Sequence, residues 1–229
     1  MDNKFNIYIG MDEPYSEAFE VCRQSILERC ERYNITVSPI NYNTVKQYDR
    51  VKDEFESTQF SFARFFTPYQ CEYKGRSMFV DGDFLFLYSI DDLLDMYDDN
   101  YAVSCCKHDY VATPGIKMDG KLQSMYPRKN WSSLMLINNE HDDVKRLSPA
   151  IINRSTGRYL HRFEWVTGEI GSIPVEWNWL VGTYSETKNF KPKALHYTDG
   201  GPWLQKYKEC EYSDVWHDRL YNYEKERNI

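Results

Sequence analysis

At 229 residues the chain is long enough for one substantial core, and a single domain over 1–229 is expected. A composition 41% hydrophobic and 28% charged is that of a globular protein, and a net charge of −7 argues against a nucleic-acid backbone as partner. No apolar stretch approaches the ~20 residues that span a bilayer.

The first predicted element is a strand at Phe5-Asn6-Ile7-Tyr8-Ile9, which alternates and is rich in β-formers. Gly10-Met11-Asp12-Glu13-Pro14 ends it. A helix is expected from Tyr15 or Ser16 to Arg32, because Phe19, Cys22, Ile26 and Cys30 repeat at the spacing of one buried face. Ile35 to Ile40 reads as a second strand. Strand, helix, strand is the opening of a parallel α/β sheet, whose ligands bind beyond the carboxyl ends of the strands. Asn41 to Ser57 is polar and reads as loop. Thr58 to Tyr69 is expected as a compact helix with an aromatic face (Phe62, Phe65, Phe66), the cation Arg64, and Pro68 at its end.

Met78-Phe79-Val80-Asp81-Gly82-Asp83 follows: a short apolar strand running out into two carboxylates. Residues two apart on an extended chain point to the same side, so Asp81 and Asp83 converge on one hard divalent cation, and Gly82 admits a phosphate close to the backbone. Asp91 to Tyr97 reads as a short helix and Tyr101 to Cys105 as a strand, with Cys105 and Cys106 facing opposite ways. Lys107 to Asn130 carries the turn signals Pro114-Gly115 and Asp119-Gly120, and a loop this long in a compact domain is commonly functional. Ser132 to Ile137 is a strand, and Asp142 to Asn153 is helical with a break near Pro149. Trp177-Asn178-Trp179 lies in a short turn or strand. Lys193 to Tyr197 is the last strand, and residues 209–229 form a tail or helix.

His196 ends that last strand and precedes Gly200-Gly201. It is the expected third metal ligand. An imidazole among oxygen ligands favours Mn²⁺, with Mg²⁺ the alternative. Gly200 and Gly201 present backbone N–H groups to a phosphate. The six cysteines (Cys22, Cys30, Cys71, Cys105, Cys106, Cys210) include no CxxC pair. The N-terminal apolar run is too short for a signal peptide. Both point to a reduced, cytoplasmic setting with the thiols as small core residues.

The order of these pieces resembles the metal-dependent, GT-A-fold glycosyltransferases, closest to glycosyltransferase family 8 and its viral and bacterial relatives. The matching stretches are Ile9-Gly10-Met11-Asp12 with Tyr15, Arg64-Phe65-Phe66-Thr67-Pro68, Met78 to Asp83, Leu134-Met135-Leu136-Ile137-Asn138, Trp177-Asn178, and His196-Tyr197-Thr198-Asp199-Gly200-Gly201-Pro202-Trp203. The resemblance implies an α/β, Rossmann-like fold with a mixed, mainly parallel central sheet flanked by helices. It implies a metal-dependent transferase that moves a sugar, with retention, from a nucleotide-sugar (a UDP-sugar) to a hydroxyl acceptor such as a glycan. Asp81, Asp83 and His196 match the metal ligands. Gly10, Asp12 and Tyr15 match the stretch that holds base and ribose, Arg64 the cation at the nucleotide-sugar, and Gly200 and Gly201 the diphosphate turn.

Glu169 falls near the region that lies under the anomeric carbon and is the catalytic candidate. His108, Asp109 and Tyr110 sit just past a strand end and, with Trp131, Trp177 and Asn178, are substrate-pocket candidates. Trp rings stack on the apolar faces of sugars. The chain departs from the pattern in two places. A lysine usual before Pro-Trp is replaced by Gly201, with Lys107, Lys193 or Lys206 as possible substitutes. Trp131 and Ser133 stand where an asparagine and a glycine are usual. Two other readings stay open. A sugar-phosphate nucleotidyltransferase would need a basic, glycine-rich loop where Gly10 to Pro14 is acidic. A non-catalytic sugar- or metal-binding module would fit the lost lysine.

Overall fold

The computed structural model describes residues 3–51, 58–108 and 128–227. Asp109, Tyr110 and the turn signals at Pro114-Gly115 and Asp119-Gly120 lie outside the described residues. The strands are β1 (Lys4–Gly10), β2 (Asn34–Ile40), β3 (Arg76–Val80), β4 (Phe84–Phe86), β5 (Val103–Cys106), β6 (Leu134–Asn138), β7 (Gly171–Ile173), β8 (Trp179–Leu180) and β9 (Ala194–His196). The helices are α1 (Ser16–Leu27), α2 (Thr67–Gln70), α3 (Ile90–Leu94), α4 (Asp142–Lys145), α5 (Pro149–Arg154), α6 (Gly157–His161) and α7 (Ser213–Glu226).

Six strands form the central sheet in the order β2-β1-β3-β6-β5-β7. β1 pairs in parallel with β2 and β3, β6 runs antiparallel to β3 and β5, and β7 is parallel to β5. Only β6 therefore runs against the rest, and the sheet is mixed but mainly parallel, as expected. Pro39, which cannot donate to a ladder, is accommodated because β2 is an edge strand.

Alternation along the strands sends residues to two cores. Phe5, Ile7, Ile9, Met78, Val80, Leu134 and Leu136 pack with Phe19, Cys22 and Ile26 of α1 and Ile90, Leu93 and Leu94 of α3. Phe79, Val103, Met135 and Ile137 pack on the other face with Phe60, Phe62, Phe65, Phe66, Ile152 and Leu160. Cys106 joins the first cluster and Cys105 the second, so the adjacent thiols face opposite ways. All six cysteines are free thiols. Among the described residues no helix is long and apolar enough to cross a membrane.

A smaller sheet, β4-β9-β8, lies beside the first. β4 pairs antiparallel with β9, with Phe84 opposite His196, and β8 is parallel to β9. Val21, Leu85, Trp179, Leu195 and Tyr197 pack there with Trp216 of α7.

Two predicted helices differ. α1 stops at Leu27 rather than Arg32, because the buried Asp91 carboxylate accepts the backbone N–H groups of Glu31 and Arg32 and turns the chain into β2. The stretch from Thr58 is a run of turns, then a 3-10 helix at Ala63–Phe66, then α2. Pro68 sits in the first turn of α2, where its missing N–H costs nothing, so it begins a helix rather than ending one. The aromatic face is nevertheless buried. β4, β7 and α6 are too short for periodicity to show them.

Candidate metal centre and adjoining pocket

The apolar run of β3 ends at Val80, and the backbone N–H of Asp81 still donates to the Ser133 carbonyl (2.9 Å), so Asp81 leaves the sheet held by the 3-10 turn that precedes β6. Gly82 turns the chain against the end of β1: a Cβ there would lie 2.2 Å from the Gly10 carbonyl oxygen. The glycine between the carboxylates is thus required by backbone contact within the protein, in place of the phosphate approach expected of it. Asp83 then enters β4. Its carbonyl accepts the N–H of Tyr197 (3.1 Å), continuing the β4–β9 ladder.

That ladder brings His196 to the two carboxylates. Ligand atoms of Asp81, Asp83 and His196 all lie within 4.8 Å of one another. His196 is 1% exposed, stacks on Phe84 (ring centroids 4.4 Å apart) and places Nε2 3.3 Å from Oδ1 of Asp83. Its Nδ1 lies 2.8 Å from Oδ1 of Asn178. The Asn178 amide donates to the Asn130 carbonyl (3.4 Å) and the Ser133 hydroxyl (2.8 Å). A backbone carbonyl can only accept, so the amide orientation is determined, and Nδ1 of His196 carries the proton. In the neutral ring the Nε2 lone pair then faces a carboxylate oxygen. Two lone pairs at that distance repel unless a proton or cation lies between them. Two carboxylates and one imidazole with a fixed tautomer form a donor set that fits a hard divalent cation.

Arg64, 6% exposed, secures the other side. Its Nη1 lies 2.9 Å from Oδ1 of Asp81 and donates to the Ser132 carbonyl (2.8 Å), while Nε donates to Ser61 (3.1 Å). The guanidinium lies over the rings of Phe60 and Phe79. Behind it the half-buried His161 bonds the Ser132 hydroxyl (2.8 Å), and desolvation, with the Arg64 and Arg50 charges adding, pushes its pKa down to about 3.

A pocket opens next to this group, lined by Gly10, Asp12, Tyr15, Phe60, Asp83 and Trp203 among others. Asp12 accepts the Gln59 N–H through Oδ1 (2.6 Å) and the Tyr15 N–H through its carbonyl (2.9 Å), so it ties β1, the start of α1 and the Thr58 turns together. The structure thus gathers Gly10, Asp12 and Tyr15 in one pocket, and Arg64, Asp81, Asp83 and His196 in one cluster, with Asp83 common to both.

The other predicted residues divide. His108 is buried and bonds the Tyr184 hydroxyl through Nδ1 (2.8 Å). Burial lowers its pKa to about 3, with His196 adding to the shift and a bond to Asn178 opposing it, so it is a neutral neighbour of the cluster. Trp131 is half-buried, and its indole donates to the His108 carbonyl (3.3 Å). Trp177, expected at a sugar, is fully buried among core residues and has no face to offer one. Asn178, expected at the substrate, instead backs His196. Glu169 is exposed and precedes β7, at the amino end of a strand parallel to β5. The carboxylate cluster lies beyond the carboxyl ends of strands running that way, so Glu169 stands at the opposite edge. Gly200 donates its N–H to the Tyr197 carbonyl (2.9 Å) inside its own turn rather than presenting it to a ligand. Gly201 carries the ring of Trp203 against its Cα.

None of the suggested substitute lysines is placed at the carboxylates by its contacts. Lys107 donates to the Ile170 carbonyl (2.6 Å), Lys193 lies over Trp177, and Lys206 lies over Tyr207. Sequence reasoning missed Ser61, Ser132, Tyr184 and the buried Lys129, whose neighbour Asn130 holds Asn178 and Thr198. No motif marks Ser61, Ser132 or Tyr184, because they act through backbone carbonyls and hydroxyls brought in from separate turns.

No family model matches the chain. Solved structures do resemble it. They include the bifunctional glycosyltransferase WbbM (TM-score 0.63, 16% identity, 96% of this chain and 50% of that one). The glycosyltransferase GlyE of Streptococcus pneumoniae TIGR4 is similar (0.64, 16%, 95% and 60%). So is the galactosyltransferase LgtC, solved with donor and acceptor sugar analogues (0.57, 11%, 95% and 95%). The chain spans only 50% to 60% of WbbM and GlyE. At these identities the likeness establishes the fold, a GT-A-type mixed α/β sheet flanked by helices. Sequence identity goes further with one curated protein, Protein CDI of Arabidopsis thaliana, which is 44% identical over 229 residues, 97% of this chain and 88% of that protein. The chain belongs to the family of Protein CDI.

Proposed function

We propose that this protein is a metal-dependent glycosyltransferase of the family 8 type. It moves a sugar from a nucleotide-sugar, UDP-linked, to a hydroxyl acceptor such as a glycan, with retention. The observation that carries this reading is the convergence of Asp81, Asp83 and His196 within 4.8 Å, beside a pocket that shares Asp83. Mn²⁺ is the favoured cation and Mg²⁺ the alternative, because one imidazole joins the oxygen donors. When bound, the cation supplies Lewis-acid stabilisation of charge on a leaving nucleoside diphosphate. The chain's residues do the positioning. Arg64 holds Asp81, Asn178 holds the His196 tautomer, and Gly10, Asp12 and Tyr15 line the nucleoside side. His108 and Trp131 border the cluster on the sugar side in this reading. LgtC, which this fold matches over 95% of its length, binds donor and acceptor sugar analogues, and that supports the assignment.

The test is a thermal-shift panel of UDP-, GDP- and CMP-linked compounds, with and without Mn²⁺. UDP compounds with Mn²⁺ are expected to raise Tm by roughly 5 °C or more at a hundredfold excess over Kd, and neither alone by as much. A panel in which no nucleotide moves Tm overturns the reading. A second expectation concerns Asn178. Replacing it with alanine frees the His196 ring from its tautomer, and Mn²⁺ affinity should fall about 10- to 100-fold. Calorimetric titration with Mn²⁺ reads this directly, and unchanged affinity in a folded variant would refute the orienting role.

A further inference from the structure

Three indole N–H groups are buried with no hydrogen-bond acceptor among the described residues: those of Trp177, Trp179 and Trp203. Trp177 and Trp179 are 0% exposed and sit in the cores. Trp203 differs. It is half-buried and borders the pocket that holds Gly10, Asp12, Tyr15, Phe60 and Asp83.

Its position is set from several sides. The benzo edge of the indole lies on Gly201, where a Cβ would fall 2.1 Å from Cζ3 and 2.4 Å from Cη2. Tyr197 meets the ring edge-on at 6.0 Å and Trp216 lies 5.7 Å away. The ring therefore occupies the space that any side chain at 201 would need. The glycine there and the tryptophan two residues later form one device, and the nitrogen lies on the part of the indole away from Gly201.

We propose that Trp203 is a ligand-binding wall of this pocket, contacting the nucleoside part of a nucleoside diphosphate, and that Gly201 is a glycine in order to seat it. The inference rests on the function proposed above and assigns that site a residue beyond those named for it. Tyr15, Phe19 and Phe60 complete an aromatic lining around the same space, with the Asp12 carboxylate at its edge. Binding at this end is then carried by aromatic faces instead of a cation.

The experiment is calorimetric titration of the full chain in Mn²⁺ with two probes, UDP and inorganic pyrophosphate. Trp203→Leu should weaken UDP about tenfold or more while leaving pyrophosphate within about twofold, because only UDP carries a base to stack. Trp203→Phe keeps a smaller ring for stacking and should fall between. Gly201→Ala displaces the ring without removing it and should reproduce the Trp203→Leu pattern, which keeps the question open to test if Trp203→Leu does not fold. UDP binding within twofold of wild type in both Trp203→Leu and Gly201→Ala overturns the inference alone, as does an equal loss of UDP and pyrophosphate. A wild-type chain that binds no UDP overturns the proposed function and this inference with it.

Discussion

Asp83→Asn is expected to lower divalent-dependent release of UDP from UDP-sugars by at least about 100-fold. The substitution keeps volume and removes one negative oxygen donor from the cluster with Asp81 and His196. A Lewis acid contributes several kcal/mol to such a step, and each ~1.4 kcal/mol is tenfold in rate. The fold should survive. The Asp83 side chain is 15% exposed, and its ladder contact to Tyr197 is made by the backbone, which the substitution does not touch. Removing one of two neighbouring like charges also relieves repulsion, so stability should be unchanged or slightly higher. Assaying product release across Mn²⁺ concentrations, alongside thermal unfolding, separates the two effects. Turnover above one-third of wild type in a folded variant would remove Asp83 from the metal site.

Arg64→Leu should produce the largest loss of stability of any single substitution considered, about 3–5 kcal/mol. Three groups lose a partner at once: the Asp81 carboxylate and the carbonyls of Ser61 and Ser132. The Arg64 and Asp81 side chains are only 8% and 13% exposed, so water does little to replace what is lost. Leucine keeps apolar contact with Phe60 and Phe79, which isolates the electrostatic part of the loss. Arg64→Lys keeps the charge but not the fork that reaches both carbonyls, and should recover only part. Urea denaturation measures the change. Added Mn²⁺ should restore some stability in Arg64→Leu, because a cation compensates the stranded carboxylate. A loss under about 1 kcal/mol would mean that Arg64 is not the electrostatic support of Asp81.

Both predictions turn on residues that sequence reasoning singled out, yet the reasons for their importance differ in kind. Asp81 and Asp83 are legible because spacing along one extended stretch decides which side they face. Arg64 is legible as a cation among aromatics, but its reach to Asp81 depends on a run of turns that helix periodicity misreads. Glu169 and Trp177 show the limit more sharply. An exposed glutamate and a core tryptophan have the same letters as a catalytic acid and a sugar platform. Only the strand direction of β7 and the burial of Trp177 separate them.

By itself the sequence determined what depends on neighbours along the chain. This includes the alternating strands β1 and β3, the buried face of α1 from Phe19 to Ile26, the opposite facing of Cys105 and Cys106, and the convergence of Asp81 with Asp83. It also pointed to His196 as a ligand, though not to the means by which it arrives. That means is the pairing of Phe84 with His196 across two three-residue strands, and the Asn178 bond that chooses the imidazole tautomer. It also did not show that Gly82 and Gly201 are glycines because the Gly10 carbonyl and the Trp203 ring occupy their side-chain space. These features belong to the tertiary structure alone. Apart from the Gly201–Trp203 contact, which the turn itself folds back, each is a contact between chain segments whose separate sequences carry no periodicity toward one another, and packing is what brings them together.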